Sequence, residues 1–345
     1  MSSKEITIYD LARELNLSAA TVSRALADNP AINKDTKKKI NALAIKLGYQ
    51  SNKFASNLRK QKTHTIGLIV PRLNSLFMSS VISGIEKVLN NAGYNLIIAQ
   101  SFEQEAKERT NTTTMFNSRV DGLIVSLSSD TKDYKHFDTF IKKKIPLVFF
   151  DRIAEELPAT KVLIDNFKAG YLATSHLLEQ GCKEIAHITG NTSRNVYRDR
   201  FEGYKKALAD HEVNFDPSLI YVNDLSEQGV QDTLSQQLLK RDRLPDGLFI
   251  TNDSAAAYAL SIIKEAGLKV PQDIAIVGFN NDLISRVTEP AITTINYPGN
   301  EMGETIARIL INRLEGETSL NITSTVTLNA ELITRPSSIR NKENI

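Results

Sequence analysis

Residues able to do covalent or metal chemistry are few in this chain and poorly placed for it. The five histidines, His64, His136, His176, His187 and His211, share no metal-ligand spacing. Cys182 is the single cysteine, which excludes an intramolecular disulfide and a cysteine-based metal cluster. It follows Gly181 at an expected helix end and reads as a small structural residue. Glu155 and Glu156 are adjacent in an expected loop and point opposite ways, so they do not make a paired acid and base. No phosphate-cradling glycine loop, dinucleotide fingerprint, His-Glu-x-x-His or Gly-x-Ser-x-Gly motif occurs. The chain is therefore expected to be no enzyme and to hold neither cofactor nor metal.

Two other sets of polar residues suit recognition. Near the N-terminus, Ser18, Ala19, Ala20, Thr21, Ser23 and Arg24 are short or hydrogen-bonding groups in one cluster. Farther on, Asn74, Ser126, Asp151, Arg152, Asn252, Asp253 and Asn280 follow closely on short apolar runs, and Arg200 stands near the start of a helical stretch over 197–211. Groups of the first kind, at a helix start, can meet base edges and phosphates in a major groove. Groups of the second kind can hold a hydroxylated or charged small molecule.

The elements that must position the first set are legible. Thr7 can cap a helix over 8–15, with Ile8, Leu11, Ala12 and Leu15 at i, i+3, i+4, i+7. Ser18 can cap a second over 19–27 with Val22, Ala25 and Leu26 inward, and Ala12 is small enough for a close crossing. A third helix, 34–47, ends at Gly48 and completes the core with Ile40, Leu43, Ala44 and Leu47. Together these predict a three-helix helix-turn-helix unit. Arg24 either forks onto a guanine or holds a phosphate, and Ala19 and Ala20 can touch only thymine methyls or the DNA surface. Charge agrees: residues 1–62 hold 12 Lys+Arg against 5 Asp+Glu, and the remainder 30 against 35. A basic head on a mildly acidic body points to a polyanionic partner for the head.

Beyond Thr63, continuous apolar runs at 66–70, 96–99, 123–125 and 147–150 alternate with amphipathic stretches at 78–92 and 103–118. The scheme repeats at 184–188, 247–250 and 274–277. Buried parallel strands with crossover helices read this way, and two such sets divided near Ile164 imply two doubly wound parallel-sheet subdomains. The runs 292–295 and 326–328 are expected to exchange strands between them. Facing sheets make a cleft at their strand ends.

The ordered motifs Thr7-Ile-Tyr-Asp-Leu-Ala, Leu17-Ser-Ala-Ala-Thr-Val-Ser-Arg-Ala-Leu26 and Leu47-Gly-Tyr49 resemble the headpiece of the lactose-repressor (LacI/GalR) family. Asn52-Lys-Phe-Ala-Ser-Asn-Leu-Arg59 is similar to that family's hinge helix, and Thr65-Ile-Gly-Leu-Ile-Val-Pro71 to the first strand of its sensor domain. The resemblance implies an α/β chain with a headpiece over 1–50, a hinge over 51–63 and a periplasmic-binding-protein-like effector domain over 64–340. Its N-subdomain is expected at 64–163 plus 294–322, and its C-subdomain at 164–291 plus 324–336. It also implies a cytoplasmic, nucleoid-associated homodimeric regulator, a repressor rather than an activator by expectation, that binds pseudo-palindromic operator DNA under control of a sugar-like effector.

By that resemblance DNA contacts fall on Thr7, Ser18, Ala19, Ala20, Thr21, Ser23, Arg24, Asn52, Ala55, Leu58 and Arg59, with Leu58 as a minor-groove wedge. Effector contacts fall on Phe77, Ser126, Asp151, Arg200, Asn252 and Asn280, and the dimer face around 77–89. Ser51, Ser56 and Asn280 depart from common family residues. Asparagine at 280 both donates and accepts, so Arg72, Arg152 and Arg200, if they converge, would suit an anionic sugar. Two other classes stay open at this stage: a sugar-binding protein with a merely basic head, and an enzyme on a sugar-binding fold. No membrane partner is expected, because no apolar run reaches the length of a span. The polar tail 337–345 holds no heptads for a tetramer.

Overall fold

A computed structural model describes residues 6–49, 62–316 and 323–340. The chain divides into two compact units, 1–63 and 64–345. The first contains α1 (Ile8–Glu14), α2 (Ala19–Leu26) and α3 (Lys34–Leu47). Leu11, Ala12, Val22, Ala25, Ile40 and Ala44 are buried together and make its core. Asn16 takes the left-handed turn conformation between α1 and α2, and Gly48 takes it after α3. Lys37 donates to the Asp28 carboxylate at 2.7 Å and to its carbonyl at 3.0 Å, tying the turn after α2 to α3.

The second unit runs β1 (Thr65–Val70), α4 (Leu76–Asn91), β2 (Asn95–Gln100), α5 (Glu105–Asn117), β3 (Gly122–Val125), α6 (Asp138–Lys142), β4 (Leu147–Phe150) and β5 (Thr160–Ile164). It continues with α7 (Asn166–Glu179), β6 (Ile185–Thr189), α8 (Asn195–Asp210), β7 (Ile220–Val222), α9 (Glu227–Asp232), β8 (Gly247–Ile250) and α10 (Asp253–Glu265). It closes with β9 (Ala275–Asn280), α11 (Ile284–Val287), β10 (Thr293–Asn296), α12 (Gly299–Leu314), β11 (Thr325–Leu328) and β12 (Glu331–Ile333). Two six-stranded sheets result, ordered β11-β5-β4-β3-β1-β2 and β12-β10-β9-β8-β6-β7. All pairings are parallel except β10 with β12. The central strands β3, β4, β6 and β8 are buried along their whole length, which explains their unbroken apolar sequence.

The exchange of strands differs from the sequence expectation at both crossings. Residues 293–296 pair with β9, Thr293 opposite Val277, so they belong to the second sheet and not the first. Residues 325–328 pair with β5, Thr325 opposite Lys161, so they belong to the first sheet and not the second. The chain crosses at Tyr297-Pro298, where α12 departs to pack on α4, and returns after β11. The β11–β5 pairing is non-local, and short β-branched or apolar runs such as these fit either sheet.

Each subdomain closes with a helix pair in backbone contact. In the first, a methyl group on Gly84 would run into the Asn300 carbonyl of α12, and one on Gly303 into the Val81 carbonyl of α4. In the second, Gly170 of α7 lies against the Arg200 carbonyl of α8, and Gly203 against the Phe167 carbonyl. The second crossing fixes the backbone of Arg200, which faces the cleft.

Candidate functional site

On the first unit, the start of α2 presents a polar surface. Ser18 accepts from the Thr21 N–H at 3.1 Å and shares a 2.9 Å hydrogen bond with the Thr21 hydroxyl, which caps the helix and orients both hydroxyls. Asp10 accepts from the Thr7 N–H at 2.9 Å and the Thr7 hydroxyl at 2.6 Å, so the start of α1 is held similarly. Ser18, Ala20 and Arg24 are exposed, while Ala19, Thr21 and Ser23 are half-buried. Arg24, Lys34, Lys38 and Lys39 are exposed cations of this unit with no ion-pair or hydrogen-bond partner among the described residues. Asn52, Ala55, Leu58 and Arg59 lie outside the described residues.

In the second unit a cavity of about 350 Å³ opens between the two sheets. Its walls come from the carboxyl ends of strands: Arg72 after β1, Glu103 after β2, Asp151 and Arg152 after β4, Asp224 after β7, Asn252 after β8 and Asn280 closing β9. Five of the six expected effector residues line it: Phe77, Asp151, Arg200, Asn252 and Asn280. Ser126 does not. It is fully buried behind Asp151 and donates to that carboxylate at 3.4 Å, because its position at the end of β3 turns it into the sheet layer. Asp253 is also buried rather than facing the cavity, and accepts from Thr294 at 2.7 Å and the Asp282 N–H at 2.8 Å.

Arg200 is the best-fixed cation of the cavity. Its Nε donates to Asn166 at 2.8 Å and Nη1 to the Thr251 carbonyl at 3.3 Å, and its guanidinium lies 3.6 Å from the Phe279 ring centre. Nη2 has no partner among the described residues and is open to a ligand. Burial holds its pKa below the usual guanidinium value, although Tyr297 and Asp151 favour the charge. Asp151 has a left-handed backbone (φ 56°) and accepts from the Tyr297 hydroxyl at 3.0 Å. Burial raises its pKa from the ordinary carboxylate value against the pull of Arg152 and Arg200.

The two amides are each half-committed. Asn252 uses Oδ1 to cap α10, accepting from the Ala255 N–H at 3.0 Å, so its Nδ2 remains as a donor. Asn280 gives Nδ2 to Asp282 at 3.3 Å, so its Oδ1 remains as an acceptor. Phe77 is an apolar wall, stacked on Tyr297 with ring centres 4.1 Å apart.

Arg72, Arg152 and Arg200 do converge, but Glu103 stands between the first two. It accepts from Arg152 Nη1 at 2.6 Å and from the Ser129 N–H at 2.9 Å, and Arg72 Nε lies 3.2 Å away. Burial works against the Glu103 charge, yet Arg152, the Ser129 amide and Arg72 together outweigh it and lower the pKa. Around the cavity three guanidiniums face five carboxylates: Glu103, Asp151, Asp224, Glu227 and Asp282. The sequence reading missed Glu103, Tyr197 and Tyr297. Tyr297 follows β10 directly, so a correct end for that strand would have found it.

The family model described as "Bacterial regulatory proteins, lacI family" matches residues 7–52, and that of a periplasmic binding protein-like domain matches 174–338. The HTH-type transcriptional regulator RegA of Clostridium saccharobutylicum is 33% identical over 334 residues, 96% of this chain and 99% of its own. The chain belongs to the LacI family of bacterial regulatory proteins. It is a DNA-binding transcriptional regulator with a ligand-binding body, and not an enzyme. Among solved structures, the CelR–cellobiose complex is 25% identical with a TM-score of 0.73, over 96% of this chain and all of that one. The lac repressor dimer bound to operator and the anti-inducer ONPF shares the fold at a TM-score of 0.86 and 23% identity, over 97% and 100% of the two chains. No helix among the described residues is long and apolar enough to cross a membrane.

Proposed function

We propose that this LacI-family member is a homodimeric repressor whose grip on a pseudo-palindromic operator is set by a carbohydrate bound in the cleft. The observation that carries the effector part is Arg200. Its buried guanidinium is stacked and doubly hydrogen-bonded, with one free Nη2 beside the Asn252 donor, the Asn280 acceptor and the Asp151 carboxylate. A polyol presents donors and acceptors at every carbon, and this mixture of fixed donors and acceptors over an aromatic wall answers it. The cellobiose in the CelR complex is of this class. Ser126 then acts by orienting Asp151.

For DNA the proposed readers are Thr7, Ser18, Ala19, Ala20, Thr21, Ser23 and Arg24, with α2 in the major groove. Asn52, Ala55, Leu58 and Arg59 are proposed as the hinge contacts on sequence alone. The proposed division is a DNA-binding domain over 1–50, a hinge over 51–63 and an effector domain over 64–340, and the proposed location is cytoplasmic. One head offers little surface for operator-level affinity, which favours two heads on two half-sites.

The test is selection of DNA by the purified protein, followed by binding to the selected site across a salt series with and without neutral sugars. A palindromic site, a steep salt slope and a sugar-dependent affinity are expected. Sequence-indifferent binding would remove the operator reading, and indifference to every sugar would remove the effector reading.

A further inference from the structure

We infer that Glu103 sets the charge preference of the cleft, holding Arg72 and Arg152 so that an uncharged hydroxylated effector is accepted and an anionic one is turned away. This rests on the reading of the cleft as the effector site. The residue is built into an unusual place. Phe102 and Glu103 both take left-handed backbone conformations, φ 56° and 61°, which glycine adopts freely and side-chain-bearing residues rarely do. A carboxylate held there reaches the cavity from the end of β2; its Oε2 accepts from Arg152 and the Ser129 amide, and its Oε1 forms an ion pair with Arg72.

An incoming phosphate or carboxylate would find only the single Nη2 edge of Arg200 open, and to be held by more than that it would need the guanidinium edges of Arg72 and Arg152. It would have to displace a carboxylate already seated on them, in a cavity where acidic side chains outnumber basic ones. A sugar hydroxyl needs no such exchange. It can accept from Arg200 Nη2 or donate to Asp151 while the Glu103 pairs stay closed. Arg152 keeps a second task within the closed arrangement, donating Nη2 to the Tyr197 hydroxyl at 3.2 Å, which holds that ring as a wall of the cleft. Glu103 thus acts as a resident anion, and its removal is expected to convert the cleft from a neutral-ligand site to an anion site.

The experiment uses the full chain and inorganic phosphate as the anion probe, at constant ionic strength against chloride, by isothermal titration. Glu103→Gly suits the left-handed backbone and removes the carboxylate; Glu103→Gln keeps the side-chain volume. Both variants are expected to bind phosphate at least tenfold more tightly than the wild type. The double variant Glu103→Gly with Arg152→Ala should lose that gain, which separates the cleft from the basic head. Phosphate binding that is unchanged in both single variants, or a gain that persists in the double variant, overturns the inference. A parallel titration of glucose and glucose 6-phosphate extends the test: the single variants should narrow or reverse any preference for the neutral sugar. If no neutral sugar binds the wild type, the carbohydrate reading fails, while the phosphate series still decides the role of Glu103.

Discussion

Replacing His187 by phenylalanine should flatten the acid limb of the stability curve. His187 sits at the centre of β6 with no exposed surface, its ring stacked on Tyr204 at 5.1 Å and Phe249 at 4.7 Å between centroids. Nδ1 lies 3.2 Å from the Phe249 carbonyl, and Nε2 is buried with no partner. Burial pushes the imidazole pKa down to about 3 from an unfolded value of 6.5. Between those values the unfolded chain takes up a proton that the folded chain refuses. The stabilisation is therefore complete above pH 6.5 and is lost as the pH falls toward 3.

At 1.36 kcal/mol per pKa unit, this one group costs the fold about 2 kcal/mol between pH 8 and pH 5. That figure hardly changes for any folded-state pKa below 4. In a unit spanning residues 64–345 it corresponds to a shift of about 3–4 °C in the unfolding midpoint. Phenylalanine can continue the ring stack, and any overpacking it introduces is independent of pH. Calorimetry of wild type and His187→Phe at pH 8, 7, 6 and 5 should show the variant gaining on the wild type by that amount toward low pH. Parallel curves would mean that His187 is solvated or charged in the folded state, and the reasoning would be wrong.

Other outcomes follow from the same geometry. Arg200→Lys keeps the charge but loses the fork to Asn166 and Thr251, and should weaken effector binding by about 10- to 100-fold, measured by calorimetry, with DNA binding in the absence of effector unchanged. Gly170→Ala forces a methyl group into the Arg200 carbonyl, so it should destabilise the second unit by about 2–3 kcal/mol and lower effector affinity together. Ser18→Ala removes the cap of α2 and should cost the head about 1 kcal/mol in thermal melts, with weaker operator binding in gel shifts.

The three helices of the head were legible because each carries its own boundary signals: Thr7 and Ser18 at starts, Gly48 at an end, and apolar residues at helical spacing between them. The buried strands were legible for a similar local reason. β5 and β7 were missed, since their burial alternates or is partial over only a few residues. β11 was misplaced because its partner β5 lies more than a hundred residues back, and β10 because nothing local marks on which side of it the chain crosses. Strand ends led to Asp151, Asn252 and Asn280, and a helix start to Arg200, all of which line the cavity. They could not tell that Ser126 turns inward, or that Glu103 reaches in from a left-handed turn no periodicity marks. Counting arginines suggested an anion site; the missing term was the carboxylate that occupies two of them.

The cleft also links ligand binding to the arrangement of the two subdomains, and Asn195 is where this can be tested. The segment before and into α8 belongs to the second subdomain, yet it grips loops of the first. Asn191 donates to the Ser129 carbonyl at 3.0 Å, Arg194 to the Thr131 carbonyl at 2.6 Å, and Arg198 pairs with Glu155 at 2.7 Å. Asn195 does most for the site: Nδ2 donates to the Asp151 carbonyl at 2.9 Å, and Oδ1 accepts from the Ile153 N–H at 3.1 Å. The left-handed turn that aims Asp151 into the cavity is thus held by a side chain from the opposite subdomain. A ligand that bonds Asp151 and Arg200 together must favour arrangements in which this grip is closed, which is the differential affinity that linkage requires. Asn195→Ala leaves two buried backbone groups without partners and should weaken effector binding about tenfold, although its side chain is not among those lining the cavity. Asn195→Asp keeps the acceptor for Ile153 but sets a carboxylate oxygen against the Asp151 carbonyl, and should weaken binding at least as much. Effector affinity equal to wild type in both variants would show that Asp151 is positioned within its own subdomain, and that closure and ligand binding are not joined through this residue.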